Sequence, residues 1–181
     1  MSAAVGTDIA ALLLRLSVGG TMIAHGWNHA FGGGGIAGTA GWFESIHVRP
    51  GRLNALVATA TELGAGLLLV LGLLTPLAAA AVVGTMLVAL VTNHLRNGFF
   101  IFRPGEGYEY VLMIIVASCA LGALGAGTWS VDHRLDPHVD GWAGLAITAG
   151  VGAVAGVLTL AAFWRPEPHS ADQHSAEPQE G

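Results

Sequence analysis

The sequence predicts an all-α fold, a polytopic membrane helical bundle. Of the 181 residues, 53% are hydrophobic and only 10% are charged, and the mean hydropathy is +0.62. Soluble domains contain about 25% charged residues, so this chain has too few charges to cover the surface of a water-soluble globule. A second observation agrees: the chain contains five apolar segments whose lengths suit membrane-spanning helices.

The predicted spans follow one another with short polar connections. They are residues 9–27, 53–74, 77–95, 108–124 and 141–164. Thr75 and Pro76 alone separate the second span from the third, so these two spans form a tight helical hairpin. Residues 166–181 are rich in Pro, Glu and His, so we expect a disordered polar tail after a transmembrane unit of residues 1–165.

The loop arginines predict the orientation in the plasma membrane. Arg134 is alone on one side, and the other side has Arg49, Arg52, Arg96, Arg103 and Arg165. Because cytoplasmic loops of membrane proteins are enriched in Lys and Arg, we expect the N-terminus outside and the C-terminal tail in the cytoplasm.

Charge and cysteine content exclude several functions. The formal net charge is −5, and the seven basic residues are scattered arginines, so the chain lacks the basic face that a nucleic-acid binder needs. The single cysteine, Cys119, excludes an internal disulfide and a CxxC redox pair.

Two ionisable residues lie inside predicted spans, Arg15 in the first and Glu62 in the second. Counted from the span ends at Trp27 and Arg52, the two residues lie at similar depths in antiparallel helices. Because a lone charge in the membrane is costly, we expect a buried Arg15–Glu62 ion pair. Two roles are open: the pair fixes the register of the helices, or Glu62 serves as a proton carrier or as part of a quinone site.

Polar residues also gather at the predicted cytoplasmic ends of three spans. A candidate quinone or ligand site there consists of His25, His94, Tyr108 and Glu109. Quinone carbonyls accept hydrogen bonds from His or Tyr, and the alternative is that these residues act as caps and interfacial anchors. His25 and His29 have the i, i+4 spacing of metal ligands, but the glycines around them disfavour a continuous helix, so we predict no metal.

Small residues recur every four positions in the fifth predicted span. They are Gly144, Thr148, Gly152 and Gly156. Such a stripe lets helices approach closely, so we expect this helix face to support a homo- or hetero-oligomer.

Several short motifs occur in an order that resembles the DoxX family of small bacterial membrane proteins. The motifs are Arg15, His25-Gly26, Glu62-Leu63-Gly64-Ala65-Gly66, Leu71-Gly72-Leu73-Leu74-Thr75-Pro76, His94, Gly98-Phe99-Phe100, Gly107-Tyr108-Glu109-Tyr110 and Trp129-Ser130-Val131-Asp132. The resemblance covers about residues 9–132. It implies a four-helix DoxX-like core, to which residues 141–164 add a fifth C-terminal helix. His29 departs from the family, which usually has lysine there.

The resemblance also implies a redox role. Namesake relatives are similar to a subunit of a thiosulfate:quinone oxidoreductase, and others are linked with a membrane assembly that includes superoxide dismutase and a sulfurtransferase. We therefore expect a membrane subunit of a quinone-linked or thiol/sulfur redox system, with a quinone or soluble redox proteins as its partners. No residue set forms a self-sufficient redox centre, so catalysis by this chain stays open. The alternatives are a non-enzymatic scaffold that recruits soluble oxidoreductases and a small-solute transporter.

Overall fold

Helices account for most of the computed structural model, which describes residues 3–135 and 139–166. The helices are α1 (Ala3–Phe31), α2 (Gly35–Ser45), α3 (Gly51–Leu71), α4 (Thr75–Asn97), α5 (Glu109–Leu124), α6 (Val131–Leu135) and α7 (Gly141–Phe163). Within these residues the β pairing is a single bridge between Val48 and Trp164. The predicted all-α helical bundle is confirmed. The predicted tail, apart from Pro166, lies outside the described residues.

Length and composition identify four helices that can cross a membrane: α1, α3, α4 and α7. The fourth predicted span, residues 108–124, corresponds to α5, which has 16 residues and is therefore about 24 Å long, against about 30 Å for a bilayer's hydrocarbon core. Leucines, valines and methionines on the outer surface of these helices, such as Leu67, Met113 and Val154, are exposed. The chain is thus an integral membrane protein whose apolar surface contacts lipid. Five crossings, rather than four, stay a prediction.

Contacts at the two ends of the bundle show which parts of the chain lie at each end. At the end that holds α6, Asp8 in the first turns of α1 accepts hydrogen bonds from the backbone N–H and the hydroxyl of Thr128, at 2.8 and 2.7 Å. At the end that holds α2, the Arg49 N–H donates to the Phe163 carbonyl at 2.9 Å. The described chain therefore starts at the α6 end and finishes at the α2 end. Which end faces the cytoplasm stays a prediction.

Two glycines set the register between α1 and α3. A Cβ atom on Gly19 would lie 2.7 Å from the Gly66 carbonyl oxygen, and one on Gly66 would lie 2.7 Å from the Gly19 carbonyl oxygen. Only glycine allows two helix backbones to come this close. Since the helices are antiparallel, Arg15, one turn before Gly19, lies beside the end of α3 rather than beside Glu62.

The Arg15 guanidinium is 2% exposed and donates four hydrogen bonds to backbone carbonyls. It binds Leu69 at 2.9 Å and Val70 at 2.8 Å in α3. It also binds Ala126 and Trp129, both at 2.9 Å, in the loop before α6. The structure therefore does not bring Arg15 and Glu62 together, contrary to the ion pair expected from the sequence.

Asp132 completes this end of the bundle by capping α4. Its carboxylate accepts the backbone N–H groups of Leu74 and Thr75 at 2.7 and 2.9 Å. A carboxylate at a helix N-terminus satisfies free N–H groups and interacts favourably with the helix dipole. Gly72 lies between Asp132 and Arg15, and its φ is 65°. A Cβ atom on Gly72 would lie 2.6 Å from the Arg15 Cζ atom. Gly72 is therefore required both by its backbone conformation and by the closeness of Arg15.

The small-residue stripe packs α7 against α4 and α5 inside the molecule. The Thr148 hydroxyl, fully buried, donates to the Pro76 carbonyl at 3.1 Å. Gly144, Gly152 and Gly156 are also buried, and a Cβ on Gly152 would lie 2.7 Å from the Ala80 carbonyl oxygen. This face is therefore used within one chain, which corrects the expectation that it supports an oligomer. The pattern predicted close packing but could not tell which helix provides the opposite surface.

Candidate functional site

A cavity of about 280 Å³ lies in the half of the bundle nearer to α2. Residues of α4, such as Thr85, line it between α3 on one side and α7 on the other. Val57 of α3 and Ala155 of α7 both line the cavity and are exposed on the outer surface. The cavity therefore opens sideways between α3 and α7. Because both helices can span the membrane, this opening faces the lipid.

The most buried ionisable group in the cavity is Glu62, which is 3% exposed. Its Oε2 atom lies 3.0 Å from the Nδ1 atom of His29 in α1. The two atoms are close enough for an ion pair when His29 is protonated, but they are not aligned as a hydrogen bond, and neither has a hydrogen-bond partner. Buried polar atoms in native proteins are nearly always paired. An unpaired carboxylate oxygen beside an unpaired imidazole nitrogen therefore calls for a functional explanation.

His94 forms a second polar group in the cavity, together with Tyr110 of α5. The His94 Nδ1 atom lies 3.0 Å from the Glu106 carbonyl oxygen, which can only accept, so Nδ1 bears the proton. The Nε2 atom then accepts the Tyr110 hydroxyl proton at 2.8 Å. Both ring nitrogens of this imidazole are thus used within the protein. His94 comes at the end of a π-helical turn, Leu90–His94, a feature that often marks functional sites.

Two of the four residues predicted for the ligand site line this cavity, and two do not. His25 and His94 line it. Glu109 instead accepts the Ile101 N–H at 2.9 Å, and the Tyr108 ring contacts Phe99 at a centroid distance of 5.5 Å. Tyr108 and Glu109 thus stabilise the loop before α5 and are not among the residues that line the cavity.

Sequence reasoning missed Tyr110 and left His29 out of the site. The helix begins at Glu109, so Tyr108 precedes it, whereas Tyr110 lies next to the fully buried Val111. The one usable signal was the departure at His29, a titratable residue where the family usually has lysine.

Metal coordination has no support in the described part of the chain. Within residues 3–135 and 139–166, no group of three or more His, Cys, Asp or Glu side chains could hold a metal ion. The polar groups that do line the cavity, among them Glu62, His29, His94 and Tyr110, can form hydrogen bonds within a mostly apolar enclosure.

These features define an integral membrane protein with a bundle of apolar helices and a cavity open to the bilayer. Comparison with known families then finds a match: residues 10–95, from α1 almost to the end of α4, match the DoxX family model. This part of the chain is similar to a DoxX domain, which confirms the resemblance read from its motifs. No curated protein and no solved structure matches the chain.

Proposed function

We propose that this DoxX protein is a plasma-membrane subunit of a redox system and that it binds the headgroup of a quinone in the lateral cavity. The observation that supports this most is the contact between the Glu62 Oε2 and His29 Nδ1 atoms, which are both buried and without a hydrogen-bond partner in a mostly apolar cavity. A lipid-soluble ligand with a polar headgroup suits such a place, because its tail can stay in the bilayer while its oxygen atoms reach the pair.

The size of the cavity agrees with a quinone ring. An apolar cavity of about 150 Å³ holds benzene, and this cavity measures about 280 Å³. A substituted six-membered ring therefore fits, while an isoprenoid chain can leave through the opening beside Val57 and Ala155. Ligand sites of this kind are concave and mostly apolar, with a few well-placed polar groups.

Electrons have to come from another protein or from a bound cofactor. The chain has one cysteine, Cys119, and the described residues hold no candidate metal cluster. We therefore assign this subunit the role of holding the quinone, while a soluble oxidoreductase docks at one face of the membrane. Most loop arginines, among them Arg49, Arg96 and Arg165, lie at the α2 end, which favours a cytoplasmic position for that end.

The test is the amount of quinone that co-purifies with the protein in native lipid. Thr85→Phe places a ring in the cavity and should remove the bound quinone. Val116→Phe, a similar enlargement at a position 52% exposed on the outer side of α5, is the matched control and should retain it. The measured quantity is the amount of quinone per protein molecule in lipid extracts of the purified protein. Absence of quinone from the wild type, or equal amounts in both variants, contradicts the proposal and favours the scaffold.

A further inference from the structure

We propose that the cavity prefers the reduced, dihydroxy form of its quinone and that Glu62 accepts a hydrogen bond from one of the two hydroxyl groups. This inference rests on the proposed function, because it assigns the form of the ligand that the same cavity takes. It follows from an inventory of donors and acceptors on the cavity wall.

Most hydroxyl and amide donors on the wall are already used within the protein. Thr85, Thr92 and Thr159 each donate to the carbonyl four residues earlier in their own helix. Tyr110 is the donor to His94, and Asn54 donates to the Pro50 carbonyl at 2.9 Å. The oxygen atoms that these hydroxyl groups leave to a ligand are acceptors, so a quinone carbonyl, which is itself only an acceptor, finds no partner among them. The donors that it can still reach are the Thr61 hydroxyl, the Trp42 indole N–H, the second N–H of Asn54 and the histidine ring N–H groups.

Glu62 also favours a ligand that donates a hydrogen bond, and it does so more strongly than the hydroxyl groups do. Its Oε2 atom is buried and receives no hydrogen bond, and a buried carboxylate without a donor is costly. A hydroquinone hydroxyl can donate its proton to this oxygen. A quinone carbonyl would instead place a second electron-rich oxygen beside the carboxylate.

His29 favours a hydroxyl in either of its neutral tautomers. If Nδ1 bears the proton, the hydroxyl that donates to Glu62 can accept that proton with its own lone pair, so that one ligand atom satisfies both unpaired atoms. If Nδ1 is bare, both unpaired atoms are acceptors, and only a donor can satisfy them. Both atoms lie within 3.0 Å of each other, which is close enough for one oxygen to serve both.

The preference can be measured with decylubiquinol and decylubiquinone, under anaerobic conditions, on the full-length protein in lipid nanodiscs. A hydrogen bond to a charged acceptor is stronger than one to a neutral acceptor. We therefore expect the wild type to bind the hydroquinone about tenfold more tightly than the quinone. Glu62→Gln replaces the carboxylate with an amide that can also donate to a carbonyl, so the two affinities should come within about threefold. Glu109→Gln, the same change outside the cavity, should keep the wild-type preference.

Each outcome bears on one of the two proposals. Equal affinities in the wild type, or tighter binding of the quinone, overturn this inference and leave the proposed function standing. A preference that persists in Glu62→Gln also overturns it. If neither form binds, the proposed function itself fails. The wild-type comparison needs no variant, so it decides the question even if Glu62→Gln does not fold.

Discussion

Removal of Arg15 should be among the most destabilising single changes in this protein. Arg15→Met keeps an unbranched apolar side chain and removes the donor of four hydrogen bonds. The Leu69 carbonyl keeps a second bond, from the Gly72 N–H at 3.0 Å, but the other three carbonyls lose the guanidinium. At about 1 kcal/mol or more for each acceptor left unpaired, the loss is about 3–5 kcal/mol.

A double-mutant cycle can show which acid shares this site with Arg15. The Asp132 carboxylate interacts with the Arg15 charge, and its backbone N–H binds the Gly72 carbonyl at 2.8 Å. We therefore expect Arg15→Met and Asp132→Ala to be coupled by about 1–2 kcal/mol. Glu62 lies two helical turns from Leu69, about 10 Å along α3, so Arg15→Met and Glu62→Gln should add to within about 0.5 kcal/mol.

The assay is the free energy of unfolding in mixed micelles, followed by circular dichroism as the fraction of SDS increases. Arg134→Met is the control, because it removes an exposed arginine at the same end of the bundle and should change stability by no more than about 0.5 kcal/mol. The reasoning is refuted if Arg15→Met costs no more than this control. It is also refuted if Arg15 couples to Glu62 as strongly as to Asp132.

Two further predictions concern the cavity and the topology. Tyr110→Phe should destabilise the protein by about 1 kcal/mol, because His94 loses its hydroxyl donor, and Tyr108→Phe should have less effect; equal thermal shifts in the two variants would contradict the hydrogen-bond assignment. In a cysteine-free background, cysteines at Ser2 and Ser175 should react with a membrane-impermeant maleimide from opposite sides of the membrane. Labelling of both from one side would exclude an odd number of crossings.

The class of the protein and the positions of its helices were predictable because they depend on local composition. Apolar length predicted spans at residues 53–74 and 77–95, and the structure has helices at Gly51–Leu71 and Thr75–Asn97. The hairpin between these spans was predictable too, since so few residues allow nothing else, but the structure places the turn at residues 72–74 and begins α4 at Thr75. Each of these inferences uses residues that are neighbours in the sequence.

The pairing of Arg15 was not predictable in this way, because it depends on the relative height of two helices. Counting from Trp27 placed the end of α1 too early, since the helix continues to Phe31. The register is instead set by the contact between Gly19 and Gly66, and nothing in the sequence says which glycine meets which. A shift of a few residues moves a side chain by a whole helical turn.

Two of the four residues predicted for the candidate site line the cavity, and two do not. Polar residues at the span ends pointed to His25 and His94, which do line the cavity. The choice between Tyr108 and Tyr110 depends on where α5 begins, and sequence patterns leave helix boundaries uncertain by a few residues. A shift of two residues corresponds to a rotation of about 200° around a helix. An error of this size in the start of α5 therefore exchanges its inner and outer faces.

One wall of the cavity has consequences for how this binding site can diversify. The residues that supply its ionisable chemistry, His29, Glu62 and His94, all lie in the region that matches the DoxX family. The opposite wall, with Ala155 and Thr159, comes from α7, outside that region. If the cavity binds a quinone as we propose, substitutions on this helix can reshape the opening for a bulkier or slimmer ligand while the ionisable side chains stay in place. Ligand shape and acid–base chemistry would then vary as two separate traits.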